Sequence, residues 1–245
     1  PKADISTTRI QELLDEEPTI RNPKKPVTEG DGSTSLVFEH VCFQYPDGEA
    51  PVLHDISFEA GKGDTIAFIG STGSGKSTLI NLIPRFYDIS SGSIRIDGVD
   101  VRKYDLAALR RKIGFIPQKA LLFSGSIHEN IRYGKQDAVR EEVEQAAKIA
   151  EAYDFITEKP GQFEEMIEEG GANMSGGQRQ RLSIARAVVR RPEIYIFDDS
   201  FSALDFKTDA KLRKKLKAET TEAITLIVAQ RVSSIMEATK IIVLN

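Results

Sequence analysis

The chain has few of the residues from which disulfide frameworks and zinc sites are built. A single cysteine, Cys42, stands among 245 residues, and the three histidines show no paired spacing. One thiol can form neither a disulfide framework nor a cysteine-type zinc site, and unpaired histidines give little support to a His-ligated metal centre. Because Cys42 lies between the apolar residues Val41 and Phe43, it is expected to be a small core residue.

Long apolar runs and an excess of positive charge are also missing. No run approaches the roughly 18 to 20 apolar residues of a membrane span, and no signal-peptide pattern follows Pro1. The formal net charge is −4, which disfavours an overall field that attracts nucleic acid. The sequence therefore predicts a soluble chain with no nucleic-acid partner, although such a chain can still be one part of a membrane assembly.

A glycine-rich loop at residues 70–78 follows an apolar strand pattern at 65–69 and leads into a predicted helix that begins near Lys76. Its sequence, GSTGSGKST, fits the phosphate-binding pattern in which glycines allow backbone N–H groups to approach nucleotide phosphates. Lys76 then supplies a positive charge for the outer phosphates and Ser77 a hydroxyl ligand for Mg²⁺. A chance match occurs in roughly one chain of this length in a hundred, and the flanking strand and helix make it rarer here.

Hydrophobic patterning predicts an α/β domain that starts near Leu36. Residues 1–17 contain a short amphipathic helix that ends before Pro18, and 18–35 has the proline, glycine and serine content of a flexible linker. Strands at 36–43, 52–58 and 93–96 indicate an antiparallel portion, whereas the apolar runs at 112–117, 193–198 and 223–229 are typical of a buried parallel sheet. Helical spacing over 140–153 and 175–190 predicts a helical lobe at about 120–190.

Two further segments carry chemistry. The apolar strand at 194–197 ends in Asp198-Asp199, and a carboxylate at the carboxyl end of such a strand is where Mg²⁺ beside a phosphate loop is held. Upstream, Ser175-Gly176-Gly177-Gln178 opens a helix and offers a hydroxyl, free N–H groups and a dipole end suited to an anion. By itself the second segment fits an ordinary capped helix start equally well.

Together these residues resemble the ATP-binding domain of ABC transporters from about residue 36 to the C-terminus. The parts follow the family's order: Tyr45, the loop at 70–78, Gln118, the signature at 175–178, Asp198, the segment 202–205 and a switch position at Gln230. The resemblance implies a P-loop NTPase core of mainly parallel sheet, an antiparallel β subdomain and an inserted α-helical subdomain within residues 36–245. ATP and Mg²⁺ are the implied cofactors.

The resemblance also implies roles for individual residues. Two such domains would enclose two ATP molecules, each bound by the loop of one domain and the signature of the other, with Tyr45 stacked on adenine and Asp205 at the dimer contact. Tyr45 as a surface aromatic and Gln118 as a strand-end polar residue stay open as alternatives. The implied ATP contacts are Tyr45, Val52, Ser71, Thr72, Gly73, Ser74, Gly75, Lys76, Ser77 and Thr78; the signature residues acting in trans are Ser175, Gly176, Gly177 and Gln178; the Mg²⁺ ligands are Ser77, Gln118 and Asp198; the catalytic residues are Asp199, Gln230 and Gln118.

Three segments look like those of an exporter. Residues 1–17 resemble the helix that joins an absent transmembrane domain to the ATP-binding domain, and 123–131 resemble the region where the helical lobe meets the membrane part. The acidic segment 164–169 lies where exporters carry a cross-talk loop, but a solvated acidic face explains it equally well. These likenesses imply a location at the cytoplasmic face of the cell membrane, with transmembrane domains and a second ATP-binding domain as partners.

The chain departs from the family at two catalytic positions. Members usually have glutamate after the magnesium aspartate and histidine at the switch, whereas this chain has Asp199 and Gln230. Aspartate is one methylene shorter, and a misplacement of about 1 Å can cost ~10²-fold in rate. Glutamine can bond a γ-phosphate but cannot become cationic. We therefore expect the slow-hydrolysing half of a heterodimeric exporter; a working homodimer, a soluble ABC-type ATPase without transport and a regulatory module without turnover are the alternatives.

Overall fold

The structure is a computed structural model that describes residues 2–229 and 235–245. Its strands include three two-residue strands that the sequence did not predict, and the others lie within two residues of the predicted bounds at each end, with β1 matching them. In chain order they are β1 (Leu36–Phe43), β2 (Leu53–Ala60), β3 (Thr65–Gly70), β4 (Ser91–Ile96), β5 (Val99–Asp100), β6 (Ile113–Ile116), β7 (Gly125–Ser126), β8 (Met166–Ile167), β9 (Ile194–Asp198), β10 (Ile224–Val228) and β11 (Lys240–Leu244).

Helices lie between β3 and β6, between β6 and β9 and between β9 and β10, as the crossovers of a parallel sheet require. In chain order they are α1 (Lys2–Asp15), α2 (Lys76–Leu82), α3 (Leu106–Arg111), α4 (Ile127–Arg132), α5 (Arg140–Ile149), α6 (Tyr153–Thr157), α7 (Gly176–Val188) and α8 (Phe206–Glu219). Short 3-10 turns cover Val101–Lys103, Gln162–Glu164 and Glu169–Gly171. In the described ranges, no helix combines the length and the apolar character needed to cross a bilayer.

The central sheet is parallel, with the strand order β11-β3-β10-β9-β6. Every residue of β10 and residues 194–197 of β9 are buried, as expected for strands covered on both faces. The register pairs Val228 of β10 with Asp198 of β9 on one side and with Phe68 of β3 on the other. The carboxyl ends of β3, β10, β9 and β6 therefore meet at one edge of the sheet.

A second sheet, antiparallel and ordered β2-β1-β4-β5, confirms the predicted antiparallel portion. Its inner face and one face of the parallel sheet share a core with α2, in which Leu36, Phe38, Phe68 and Leu79 are fully or almost fully buried. This core fixes the position of β3 and of the loop that follows it. A separate core joins α4, α5, α6 and α7 to the other face of β9 and to α8.

The helix predicted over 140–153 is wrong in its last turn, because α5 ends at Ile149 and α6 begins at Tyr153. Glu151 lies between them with a φ of 54°, in the left-handed region that ends a right-handed helix. The N–H of Ala152 then bonds to the carbonyl of Ala147 at 2.8 Å. The apolar spacing continues through this turn because α5 and α6 bury their apolar residues in the same core.

Cys42 is not the core residue expected from its neighbours. Successive side chains of a strand point to opposite faces, so Val41 and Phe43 enter the core while Cys42 stays half-buried on the other face of β1. Its Sγ accepts a hydrogen bond from the N–H of Asp55 at 3.2 Å.

Residues 18–35, expected to be a flexible linker, are extended but bonded to the domain. Val27 pairs with Tyr104 in a parallel bridge, with its N–H on the Lys103 carbonyl at 2.9 Å. Asp97 accepts from this segment twice, through its carbonyl from the N–H of Asp31 and through Oδ1 from the N–H of Ser35. The backbone of the segment therefore finds partners on the domain rather than in water alone.

Candidate nucleotide-binding site

The glycine loop lies at the carboxyl edge of the parallel sheet, between β3 and α2. Gly75 caps α2 with a φ of 90°, and a Cβ there would lie 2.9 Å from Leu53 Cδ2, so both the conformation and the space require glycine. Lys76 Nζ donates to the carbonyls of Gly70 at 2.8 Å and Ser71 at 2.6 Å. The ammonium group is thus held over the loop, where a phosphate would meet it.

Ser77, in the first turn of α2, contacts Asp198 at the end of β9. Ser77 Oγ donates to Asp198 Oδ1 at 3.2 Å. Burial raises the pKa of Asp198, and the nearby charge of Asp199 adds to this, while the Ser77 hydrogen bond and the charge of Lys76 oppose it. A carboxylate in this setting gains from a cation placed beside it.

Asp199 follows with a φ of 46°, a left-handed conformation that aspartate tolerates better than most residues. Its N–H bonds to the Val228 carbonyl at 3.0 Å, which ties it to the end of β10. Its Oδ2 accepts a hydrogen bond of 3.3 Å from Gln118 Nε2. Two of the predicted catalytic residues are therefore in contact, whereas the third, Gln230, lies outside the described residues.

Gln118 follows β6 and Pro117, and its position depends on a buried residue of α7. Gln180, only 2% exposed, donates from Nε2 to the Pro117 carbonyl at 3.3 Å. Ser200, two residues after the end of β9, donates from its hydroxyl to the Ile116 carbonyl at 2.8 Å. Both side chains hold the segment that carries Gln118 against the core.

Tyr45 lies at the other side of the loop. Its hydroxyl is 2.9 Å from Thr78 Oγ1, and its ring packs edge-on against Phe43 and Tyr87 with centroids 4.8 and 5.2 Å away. These contacts fix the ring, half-buried, beside α2. A ring held in this way can offer one face to a planar ligand.

A cleft of about 770 Å³ joins these groups, within the usual size of a small-molecule site. All predicted ATP contacts line it except Ser74, whose Oγ is instead 3.3 Å from Lys76 Nζ. Sequence reasoning left out five lining residues. Gly70 and Ile69 belong to the recognised strand and loop, and Val228 and Ala229 end a predicted strand at the same edge, but no local signal marks Ile235. The lining residues are Tyr45, Val52, Ile69, Gly70, Ser71, Thr72, Gly73, Gly75, Lys76, Ser77, Thr78, Gln118, Asp198, Asp199, Val228, Ala229 and Ile235.

The signature residues and Asp205 do not line this cleft. Ser175 caps α7 in a reciprocal pair with Gln178, whose N–H lies 3.2 Å from Ser175 Oγ and whose Oε1 accepts from the Ser175 N–H at 3.0 Å. Asp205 caps α8 by accepting from the N–H of Thr208 at 3.0 Å, and this N–H lowers the pKa of its carboxyl group. Both caps are exposed, so each can meet another molecule.

The oxygen donors near the loop fit Mg²⁺ better than a transition metal. Ser77 Oγ and Asp198 Oδ1 supply a hydroxyl and one carboxylate, with the Gln118 amide close by, and Mg²⁺ is usually bound by one or two carboxylates plus phosphates and water. Over the residues that the structure describes, no group of three or more His, Cys, Asp or Glu side chains could hold a metal by itself. A nucleotide would have to supply the remaining ligands.

Comparison with known proteins agrees with this geometry. The family model described as "ABC transporter" matches residues 53–202. An uncharacterised ABC transporter ATP-binding protein of Mycobacterium bovis is 44% identical over 249 residues, which cover 100% of this chain and 42% of that protein. A Staphylococcus aureus protein, described as a candidate multidrug export ATP-binding/permease protein, is 44% identical over 238 residues, which cover 96% of this chain and 41% of that protein.

A solved structure is similar over the whole chain. The structure of a bacterial Atm1-family ABC exporter with ATP bound superposes with a TM-score of 0.92 at 35% identity, covering 100% of this chain and 42% of that one. The chain thus spans about two fifths of the length of the proteins it matches.

Proposed function

The chain belongs to the ABC transporter family, and from this premise we propose that it binds Mg-ATP and pairs with a second ATP-binding domain to drive export across a membrane. The observation that carries the proposal is the 3.2 Å contact between Ser77 and Asp198, which joins the phosphate loop to the magnesium aspartate at one edge of the sheet. The similarity to exporters over the whole chain supports the direction of transport. The domain would then lie at the cytoplasmic face of the membrane.

In this proposal the residues of the loop hold the nucleotide. Lys76 exchanges its backbone partners Gly70 and Ser71 for phosphate oxygens, and Tyr45 offers its ring to the adenine. Ser77 and Asp198 hold Mg²⁺, with Gln118 beside them. When bound, Mg²⁺ would neutralise charge on the phosphates during transfer to water.

The proposal further assigns slow turnover to this domain's own site. Asp199 keeps a carboxylate where the family usually has glutamate, but it is one methylene shorter and is engaged with Gln118 Nε2 at 3.3 Å. A shorter side chain with a competing partner reaches an attacking water less well. Gln230 adds to this effect because it cannot carry the charge that imidazole can.

The signature of this domain is proposed to serve the partner's site. Ser175 and Gln178 form an intact capped helix start that is exposed and lies outside the chain's own cleft. Asp205 is exposed in the same way and suits a dimer contact. The helix Lys2–Asp15 is proposed to join the domain to transmembrane segments, with 18–35 as its connection.

Steady-state ATPase activity of the 245-residue chain, measured against protein concentration, tests the proposal. The matched variants are Asp199→Glu with Gln230→His, and Lys76→Ala as a blank. We expect the native chain to barely exceed the blank and the double variant to gain about tenfold or more, roughly 1.4 kcal/mol of barrier. Native turnover of about 1 per second or faster, with a rate per molecule that rises with concentration, would instead indicate a working homodimer. A native chain that does not bind ATP would overturn the proposal as a whole.

A further inference from the structure

A second cavity, of about 480 Å³, lies near the amino ends of β9 and β10, whereas the nucleotide cleft lies at their carboxyl ends. Its walls come from α5, the end of α7, the start of β9 and the end of α8, so it lies between the helical group and the parallel sheet. The volume is within the range of small-molecule sites. Strand β9 connects the two sites, with Tyr195 at the cavity and Asp198 at the nucleotide cleft.

The lining of this cavity is acidic at its rim and apolar along its wall. Four glutamates but a single cationic residue, Arg191, line it. Three of the glutamates have a lysine partner outside the lining: Glu142 with Lys135, Glu193 with Lys112, and Glu222 with Lys62. The fourth, Glu219, and Arg191 have no ion pair among the residues that the structure describes. The apolar wall consists of Ala146, Ile149, Val188, Val189, Pro192 and Ala223.

Tyr195 is a buried residue whose hydroxyl opens on the cavity. The residue is only 3% exposed and its ring stacks on Phe197, yet within the described ranges its hydroxyl has no hydrogen-bond partner. No fully buried side-chain polar atom of the described residues is left unpaired, so this hydroxyl reaches the open space of the cavity. The hydroxyl can therefore donate to or accept from a molecule that enters the cavity.

The electrostatics of Tyr195 connect it to Glu219. Burial and, to a smaller extent, the charge of Glu219 raise the pKa of Tyr195 to about 12, against the opposing charge of Arg191. The hydroxyl therefore stays protonated near neutral pH, where it can accept a hydrogen bond from an ammonium group while Glu219 supplies the charge.

An inorganic cation fits this lining poorly. The described residues contain no group of three carboxylates close enough to hold a metal ion, so the glutamates are spread around the rim. The apolar wall would gain nothing from a hydrated ion but would gain from covering methylene groups, at about 0.8 kcal/mol for each one buried. Spread acceptors above an apolar wall suit an amine that carries an alkyl body.

We propose that this cavity binds a small organic cation, a protonated primary amine on a short apolar chain. Its ammonium group lies between Glu219 and the Tyr195 hydroxyl, and its chain packs against Ile149 and Val189. The site is separate from the nucleotide cleft, and its occupation does not depend on ATP.

Calorimetric titration of the nucleotide-free 245-residue chain with hexylamine, beside its neutral counterpart 1-hexanol, tests the proposal. We expect one saturable site for the amine and binding at least about tenfold weaker for the alcohol. Glu219→Gln should weaken amine binding about tenfold or more, and Tyr195→Phe about threefold or more. Glu141→Gln, on the exposed side of α5, and Tyr133→Phe, in an exposed ring, are matched controls that should stay within about twofold of the native chain.

Three results would overturn the proposal: no saturable heat with the amine, equal binding of the alcohol, or amine binding unchanged in both cavity variants. The amine and alcohol pair needs no variant, so the comparison stands even if a substitution disturbs folding. A melting curve for each variant identifies such a disturbance.

Discussion

The hydroxyl of Ser77 donates to the carboxylate of Asp198 at 3.2 Å across 121 positions of sequence. Asp198 ends β9, whereas Ser77 lies in α2, the helix that follows β3, and β10 lies between these two strands. Their contact therefore reports the register of three strands at once, through the pairing of Val228 with both Phe68 and Asp198. A change at either residue tests the assembled site rather than a local turn.

Asp198→Asn should remove most of the dependence of ATP binding on Mg²⁺. The amide keeps the shape and the Ser77 contact but lacks the charge that a hard cation needs. We expect the Mg²⁺-dependent gain in affinity to fall at least roughly tenfold, the lower end of the effect of losing residues that only support a metal site. Titration of a fluorescent ATP analogue with and without Mg²⁺ measures it, and Asp154→Asn, an exposed position on α6, is the control. Equal Mg²⁺ dependence in Asp198→Asn and the native chain would contradict the proposed ligand role.

Gln180→Leu should destabilise the domain by about 1–3 kcal/mol, because it removes a buried hydrogen bond to the Pro117 carbonyl. It should also lower kcat more than it raises the KM for ATP, since Pro117 immediately precedes Gln118. Urea unfolding and ATPase kinetics in the more active Asp199→Glu, Gln230→His background measure both effects. Gln145→Leu, exposed on α5, should change stability by less than about 0.5 kcal/mol. If Gln180→Leu lowers stability but leaves the kcat and KM of that background unchanged, Gln180 does not position Gln118.

Lys112→Met should cost about 3–5 kcal/mol of folding stability. Lys112 Nζ lies 2.8 Å from Asp97 Oδ2 and 2.7 Å from Glu193 Oε1, and the Asp97 side chain is 0% exposed. Removing the lysine leaves a buried carboxylate without its cation. Chemical denaturation measures the loss, and Lys62→Met, which breaks the exposed pair with Glu222, should cost less than about 1 kcal/mol. Similar losses in the two variants would mean that burial of Asp97 does not matter.

The difference in folding stability between the native chain and Lys112→Met should depend on pH with a defined sign. Burial opposes the charge of Lys112, but its hydrogen bonds to Asp97 and Glu193 outweigh this and raise its pKa. A group whose pKa is raised in the folded state stabilises the fold fully at pH values below its unfolded pKa of about 10.4. This stabilisation is lost as the pH rises through the folded pKa. The stability gap between the native chain and Lys112→Met should therefore stay constant from about pH 7 to 9.5 and narrow above it. A gap that widens with rising pH would contradict the assignment.

Asp205→Asn should show the opposite dependence. The Thr208 N–H lowers the pKa of Asp205, so its ionised cap stabilises above the ordinary value of about 3.8 and is lost as the pH falls through the lower folded value. Asparagine also caps helices but does not titrate. In thermal melts, the native chain should have a higher Tm than Asp205→Asn at about pH 6, and the difference in Tm should be smaller at about pH 3.5. A difference in Tm that does not change with pH would mean that the charge of Asp205 does not stabilise this cap.

The sequence predicts the parts of the site that depend on local pattern. Alternating or continuous apolar residues locate β1, β9 and β10. The spacing of glycines identifies the loop, because few residues other than glycine adopt the left-handed φ that Gly75 has. Strand ends then place Asp198 near Ser77 without any knowledge of tertiary contacts.

Other features depend on contacts between distant segments, which a local pattern does not contain. The turn at Glu151 interrupts a helix whose apolar spacing continues, and Val27 pairs with Tyr104 inside a stretch that has linker composition. The Gln180 contact with Pro117 spans 63 positions and involves a polar residue that reads as part of a helix surface. The type of Asp199 marks it as a site residue, but its contact with Gln118 depends on the pairing of β6 with β9.

Helix α7 runs from its cap at Ser175 to Val188 at the wall of the second cavity. Its 13 residues span about 20 Å, and they form one continuous helix. If the end at Val188 stays in place, a tilt of about 5° shifts the end at Ser175 by about 1.7 Å. Shifts of about 1 Å are enough to change a catalytic rate ~10²-fold. A small tilt of α7 would thus change how well the exposed cap at Ser175 meets another molecule.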